Sequence, residues 1–387
     1  MMHNNCTHIS FNANWTISNQ TWYLLGQCDA IIKSISFTPI RPDYREKLHK
    51  IALIKGAQAT TAIEGNTLSY EEIEEIQDGS DLPPSRKYLQ KEVQNILKGF
   101  NTILEEILAD ENISTITPEL IQRFHYIVGD NLGDAFKAQP GKFRRNNVTV
   151  SKYRAPNFED VLNLISNLCD WLKKEFHFKK GQSFFETIIE AIVTHIYIAW
   201  IHPFSDGNGR TARLLEYYLL LRAGVPDIAS HVLSNFYNLT RNEYYRHIEL
   251  STQNHDLTPF LEYAIQGFRD GLIEVLEIIQ ENQLLITWRN YIYGIFSNKN
   301  KGNEAVNDRR RNLILRIPHD RYVDTEEIIE LHPSIFKHYQ EHSDRTFLRD
   351  IDELLSLNLL IKDDNKYKAN IELLGGFMAF SVSNSET

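Results

Sequence analysis

Cysteine is scarce: there are three in 387 residues, Cys6, Cys28 and Cys169, and no two of them form a C-x-x-C. That spacing argues against a disulfide framework or a cysteine zinc site and fits a reducing compartment. A basic excess is missing too: the net charge is −10, so no global field draws the chain to nucleic acid or an anionic membrane. No apolar run is long enough to cross a bilayer; the longest, 188–201, is interrupted by Glu190 and His195. The opening M-M-H-N-N-C-T-H has no basic and apolar leader. Neither an internal repeat nor a low-complexity tract is evident. These absences lead to the expectation of a cytoplasmic protein with no membrane partner. What remains is an ordinary globular composition, 42% hydrophobic and 24% charged, at a length that allows two or three domains.

One stretch concentrates chemistry. Residues 202–213 read H-P-F-S-D-G-N-G-R-T-A-R. Before them, Phe185, Ile188, Ile189, Ile192, Val193 and Ile196 recur at helical spacing, and 214–221 is apolar again. The stretch is therefore expected as a loop between two buried helices. Gly207, Asn208 and Gly209 let the backbone approach a ligand and turn its N–H groups inward. The helix that starts there adds the positive end of its dipole, which favours an anion such as a phosphate chain. Arg210 and Arg213, three apart, are expected to face one anion from the same side. Asp206 is a hard oxygen ligand suited to Mg²⁺ beside phosphates. His202 is the one residue here able to take a proton near neutral pH. Together these types describe phosphoryl or nucleotidyl transfer with a histidine base.

The stretch resembles the signature of the Fic family, H-x-F-x-D/E-G-N-G-R-x-x-R, at every fixed position. The resemblance implies transfer of AMP from ATP to a protein hydroxyl on a Fic-type helical bundle. It implies His202 as the base and Asp206 as the Mg²⁺ ligand. It places Asn208 and the loop amides at the α-phosphate, and Arg210 and Arg213 at the outer phosphates. The nucleotide site it implies takes in Gly207, Asn208, Gly209, Thr211 and Ala212 as well.

Upstream, 22–35 and 44–63 carry helical patterns split by a turn around Pro39 and Pro42. The second ends in A-T-T-A-I-E-G-N, where Gly65 suits the left-handed residue that closes a helix. Thr60 and Glu64 then lie one turn apart on one face. Thr61 and Glu64 also have capping-box spacing, but the helical pattern precedes them, which disfavours a helix start. The segment resembles the Fic inhibitory motif S/T-x-x-x-E-G/N, with Thr60, Glu64 and Gly65 in the matching places. By that resemblance Glu64 pairs with Arg213 and obstructs ATP. Helices are further expected at 69–76, 88–108, 118–128 (Thr117 as cap), 161–176 and from Pro259 to about Arg289. Trp171 is expected in the core. Between them, Asn146 and Asn147 suit a turn, and Val148, Val150 and Tyr153 have β propensity. This hairpin resembles the family's flap, which lines the nucleotide site with Val148, Thr149, Val150 and Ser151 and aligns a target segment by strand addition. An ordinary hairpin covering the core would read the same. Tyr244 and Tyr245, in R-N-E-Y-Y, resemble the pair that lines the nucleoside pocket; two tyrosines of a helix surface remain the alternative.

The expected fold is mainly α: a Fic-type bundle with a β-hairpin flap, plus a small C-terminal winged-helix (α+β) domain. The domains are expected at 1–110 (with the inhibitory helix near 45–65), 111–290 (catalytic core), 291–307 (linker) and 308–387. In the last, 345–355 resembles a recognition helix and 359–370 a wing. From Glu304 on there are 11 basic and 16 acidic residues, with Arg309 to Arg311 the one basic cluster. DNA is therefore not favoured over protein as a partner. The leading expectation is a self-inhibited protein adenylyltransferase using ATP and Mg²⁺, acting on a protein hydroxyl that can be its own; a homodimer is compatible with it. AMP removal in the same pocket, use of another nucleotide, and a nucleotide-sensing DNA- or protein-binding regulator stay open.

Overall fold

The structure, a computed structural model, describes residues 6–109, 115–177, 180–182, 184–298, 304–340 and 344–375. Local signals start several of its helices. The Ser18 hydroxyl accepts from the Thr21 N–H (3.1 Å) and opens α1 (Asn19–Phe37). Pro42 opens α2 (Pro42–Ala62), where its missing N–H costs nothing. A left-handed Gly65 (φ +100°) follows the end of α2. The reciprocal capping box of this region lies at Ser69 and Glu72, at the start of α3 (Tyr70–Gln77), and not at Thr61 and Glu64. After α4 (Lys87–Ala109), the Thr117 hydroxyl caps α5 (Pro118–Gly129), accepting from Leu120 at 3.2 Å.

The hairpin pairs β1 (Thr149–Val150) with β2 (Tyr153–Arg154), Val150 opposite Tyr153. Its turn is Ser151–Lys152, with Ser151 left-handed (φ +55°), not Asn146–Asn147 as the turn propensity of asparagine led one to expect. Asn147 instead fastens the loop, accepting from the Phe158 N–H (3.0 Å).

The central pair is α7 (Phe185–Ile201) and α8 (Asn208–Arg222), preceded by α6 (Val161–Glu175), whose Trp171 is in the core as expected. α8 packs against α7, α4, α5 and α2. Its Leu214, Leu215, Leu219 and Leu220 are fully buried on all sides, which fits a sequence after Arg213 that is apolar apart from Glu216, itself buried and accepting from the Tyr237 hydroxyl (3.0 Å). Each such leucine contributes roughly 1.5–3 kcal/mol by burial. After α9 (Asp227–Ser230) come α10 (Val232–Leu239) and α11 (Arg241–Asn254). Thr240 separates them: its backbone is non-helical and its hydroxyl bonds back to Phe236 O (2.7 Å).

α12 (Thr258–Asn298) runs past Arg289, through 291–298 of the stretch expected as a linker; 299–303 lie outside the described residues, and α13 (Glu304–Ile314) follows. The chain divides into two compact units, Met1–Ile279 and Gln280–Thr387, so the boundary falls inside the range of α12. The second unit has its own core around Trp288, Leu313, Val323, Ile351 and Leu360. It contains β3 (Val323–Asp324), α14 (Thr325–Glu330), α15 (Pro333–Gln340), α16 (Asp344–Ser356), β4 (Leu360–Asp363) and β5 (Lys366–Ala369), with the strands in antiparallel order β3-β5-β4. β3 and α15 had no sequence expectation: a two-residue strand is too short to show alternation.

Candidate active site

The signature forms the C-terminus of α7, a six-residue loop and the first turn of α8. His202 ends α7 in a left-handed conformation (φ 49°, ψ 59°), with its N–H donating to Ile198 O (2.9 Å). That conformation costs a non-glycine residue about 1 kcal/mol or more. Arg144 holds it. This buried guanidinium donates to four backbone carbonyls, including His202 O (2.8 Å) and Pro156 O (2.6 Å), and has only carbonyls as hydrogen-bond acceptors. Burial lowers its pKa, with Tyr153 and Cys6 acting the other way. Arg144 thus ties the hairpin segment to His202. The His202 ring is largely enclosed, and burial pushes its pKa down to about 4. Its Nδ1 lies 3.4 Å from Ala199 O, a long contact that favours the Nδ1–H tautomer and leaves Nε2 bare.

The rest of the loop is fixed by its own residues. Asn208 takes the Phe204 N–H and gives its amide to Phe204 O, both at 2.9 Å, so its side chain clasps the loop. His125 of α5 donates from Nε2 to Asp206 O (2.9 Å), accepts the Gly141 N–H at Nδ1 (3.0 Å) and stacks on Phe204 at 3.6 Å. Both ring nitrogens are satisfied only in the neutral form, and burial holds the pKa near 4. The Thr211 hydroxyl donates to Gly207 O (2.8 Å) and Ala212 is in the core, so neither side chain opens toward a ligand. Gly207 (φ +78°) precedes α8, and no side chain caps that helix. Its first N–H groups are thus free of a capping side chain, as an anion site requires.

The two arginines are bonded to different carboxylates. Arg213 is fully buried; its Nη2 donates to Glu64 Oε1 (2.6 Å) and Thr60 O (2.8 Å). Burial raises the Glu64 carboxyl, but Arg213, Arg210 and His202 together outweigh it and hold the pKa below the usual carboxylate value. The carboxylate lies against the first turn of α8: a Cβ on Gly209 would collide with Glu64 Oε1, so a larger residue there requires the Glu64 side chain to shift. Arg210 points elsewhere. It pairs with Glu92 of α4 through Nη1 and with Asp206 Oδ1 through Nη2 (2.9 Å), over the Phe136 ring. Glu92 in turn accepts from Asn66 (3.0 Å).

Tyr244 is buried, its hydroxyl 2.7 Å from His195 Nε2, while Tyr245 is half exposed with its hydroxyl 3.5 Å from Ile63 O. Tyr244 therefore is not a surface tyrosine, and it faces Arg213 and Glu64 closely enough to feel both charges. On the hairpin, Val148 is half-buried and Thr149, Val150 and Ser151 are exposed.

Asp206 fits a single-carboxylate Mg²⁺ site. Oδ1 accepts from the Gly207 N–H (2.6 Å) and Arg210, and Oδ2 accepts from the Lys137 N–H (3.1 Å). Of about four lone-pair positions on a carboxylate, this leaves about one, on Oδ2. Mg²⁺ commonly takes one or two carboxylates plus phosphate oxygens. Among the described residues no group of three or more His, Cys, Asp or Glu gathers to hold a metal, so the remaining ligands would come from nucleotide and water. Sequence reasoning missed Arg144, Glu92, His125 and Lys137. Arg144 and Asn66 lay inside stretches already singled out; Glu92 and His125 carry no local signal.

Comparison with known proteins agrees with this geometry. The profile of the Fic/DOC family matches residues 115–220. The chain is 30% identical over 209 residues to Protein adenylyltransferase fic-1 of Caenorhabditis briggsae, covering 53% of this chain and 38% of that protein. It is 31% identical over 215 residues to Protein adenylyltransferase Fic of Nematostella vectensis, covering 53% of this chain and 44% of that protein. The chain thus spans less than half the length of these relatives. Among solved structures, a Fic family protein from Desulfovibrio desulfuricans G20 superposes with a TM-score of 0.57 at 18% identity, over 93% of this chain and 98% of that one. Fic-1 of C. elegans gives 0.56 at 22% identity, over 68% and 74%. Residues 115–220, which hold α5, the hairpin, α6, α7 and the signature, are a domain of the Fic/DOC family.

Proposed function

We propose that the protein is an adenylyltransferase that moves AMP from MgATP to a hydroxyl of a protein, itself included, and that Glu64 holds it back. The observation that carries this reading is the pair of the buried Arg213 with Glu64 at 2.6 Å, set against the uncapped start of α8 inside a complete signature. Phosphates would meet the N–H groups of that first turn. A divalent ion at Asp206, when bound, would neutralise phosphate charge. His202, neutral because burial lowers its pKa to about 4, takes the proton of the attacking hydroxyl at Nε2. The hydroxyl oxygen bonds to the α-phosphorus, and the bond from that phosphorus to the bridging oxygen breaks, releasing pyrophosphate. An arginine held by a carboxylate cannot also clasp the outer phosphates, so the α-phosphate is left misaligned; misplacement of that kind costs about 10²-fold.

The test is transfer of label from ATP. Glu64→Gly should label itself or a lysate protein about 10²-fold faster than wild type. His202→Ala in that background should lose about 10²–10⁴-fold while still binding ATP. Equal labelling with and without His202 would remove it as base. One observation favours a second reading: the Glu64 charge reaches His202 and acts to raise its pKa, so a water between them could attack an AMP–protein bond. Wild type that removes AMP while Glu64→Gly does not would establish that direction.

The C-terminal unit we read as a winged helix that contacts a protein. Its one basic cluster is spent internally: Arg309 and Arg310 pair with the buried Asp350 at 2.6 and 2.8 Å, and Arg311 pairs with Asp308 and lies over Tyr293. Little of it is left for nucleic-acid phosphates.

A further inference from the structure

Both signature arginines are paired with carboxylates from outside the signature, but the two pairs differ. Glu64, the partner of Arg213, sits just past the end of α2 beside the left-handed Gly65, and its side chain is 30% exposed. It can leave and let water or phosphate replace it. Glu92, the partner of Arg210, is in the body of α4 and only 8% exposed. Its second oxygen accepts from Asn66, whose amide also donates to Leu89 O, both at 3.0 Å. Arg210 itself is 4% exposed, lies over Phe136 at 5.4 Å and spends its second Nη on Asp206 Oδ1. To reach a phosphate it would have to strand the Glu92 carboxylate in the interior, which burial opposes strongly. Its bond to Asp206 Oδ1, together with the Gly207 N–H, turns the remaining lone pair of the carboxylate onto Oδ2.

We propose that Arg210 is a positioning residue and not a phosphate ligand: anchored by Glu92 and Asn66, it orients the Asp206 carboxylate, and Arg213 alone meets the outer phosphates. This rests on the reading that MgATP is the substrate. It also places Asn66, two residues after Glu64, at the far end of the brace. The turn that blocks Arg213 and the brace that aims Asp206 are therefore parts of one segment.

Uniform binding groups change affinity, whereas groups that orient the reaction change turnover. The experiment uses the full chain in the Glu64→Gly background and measures two quantities for each variant: the ATP dissociation constant by calorimetry, with and without Mg²⁺, and the rate of self-labelling at saturating ATP. Arg213→Gln should weaken ATP by about tenfold or more. Glu92→Gln should leave metal-free ATP affinity within about threefold and lower the labelling rate by about tenfold or more. Asn66→Ala, which leaves every charge in place, should act in the same direction, and it carries the comparison if Glu92→Gln does not fold. The proposal is overturned if Glu92→Gln and Asn66→Ala weaken metal-free ATP binding as much as Arg213→Gln, or if they leave the labelling rate unchanged. Should Glu64→Gly bind ATP yet label nothing, adenylyl transfer itself is refuted. The affinity comparison then still decides which arginine meets phosphate.

Discussion

At the scale of single residues, the site is governed by which charge is satisfied by what. His202 is kept neutral by burial, with a pKa near 4 against an ordinary value of about 6.5. The base works unprotonated, so activity is lost only where the ring gains a proton. For Glu64→Gly, kcat/KM should therefore stay level from neutrality down to about pH 5.5 and fall below about pH 5. A pH–rate profile with its acid limb at about 6.5 would mean that the ring is solvated in the working enzyme. Glu64→Gly has a stability consequence as well. It leaves the fully buried Arg213 with Thr60 O as its remaining bonded acceptor. The cost is at most about 3–5 kcal/mol, reduced because the vacated position is open to water. The melting temperature should drop and be partly restored by MgATP, which supplies the missing anion; scanning with and without nucleotide reads this directly.

At the scale of elements, the hairpin is two residues per strand, and its value lies in its outer edge. Val150 faces Tyr153 next to the turn, and Ala155 N–H donates to Val148 O (3.3 Å). The alternation of an antiparallel ladder then leaves Thr149, between them, with its N–H and C=O pointing away from β2. A target segment that adds as a strand would bond there. Thr149→Pro removes that donor without removing a bond of the hairpin. Labelling of a protein target should fall about tenfold, one charge-neutral backbone hydrogen bond lost in a forming complex, while ATP affinity holds. Unchanged labelling would show that the edge is idle. The element that fixes this strand at its base is Tyr153, whose hydroxyl donates to Trp200 O (2.7 Å), two residues before His202.

At the scale of the whole molecule, two separate cores hold two units, the first ending at Ile279. The second depends on one buried carboxylate. Asp350 is fully buried and accepts from Arg309, Arg310 and the Tyr339 hydroxyl (2.9 Å). Asp350→Ala strands the Arg309 guanidinium and leaves Arg310 with only its longer contact to Glu353 (3.7 Å), and should cost about 3–5 kcal/mol. Because the loss is confined to one core, urea unfolding should separate into two transitions, with only the earlier one moved. A single transition shifted as a whole would mean that the units unfold together. No helix of the described residues is long and apolar enough to cross a membrane.

The amino-acid sequence alone determined the features that are written locally. The helices around the signature follow from apolar spacing, and the starts of α1, α2, α3 and α5 from Ser, Thr and Pro at the right offsets. Gly65 closes its turn as a left-handed residue for reasons visible in A-I-E-G-N. Tertiary structure decided which charge meets which. Arg210 and Arg213 look equivalent at a spacing of three, yet one reaches Glu92, 118 positions away, and the other Glu64, 149 positions away. Arg144 holds the carbonyl of His202 across 58 positions. The Glu64–Arg213 pair was implied by the resemblance of A-T-T-A-I-E-G-N to the inhibitory motif, but the pairings of Arg210 and Arg144 carry no local signal, because a buried charge takes whatever partner packing brings within reach. The cost of leaving it alone then fixes that choice. The same holds for the hairpin turn: Asn146 and Asn147 have the better turn chemistry, but in the fold they are bonded to Arg144 and Phe158, and the chain turns at Ser151.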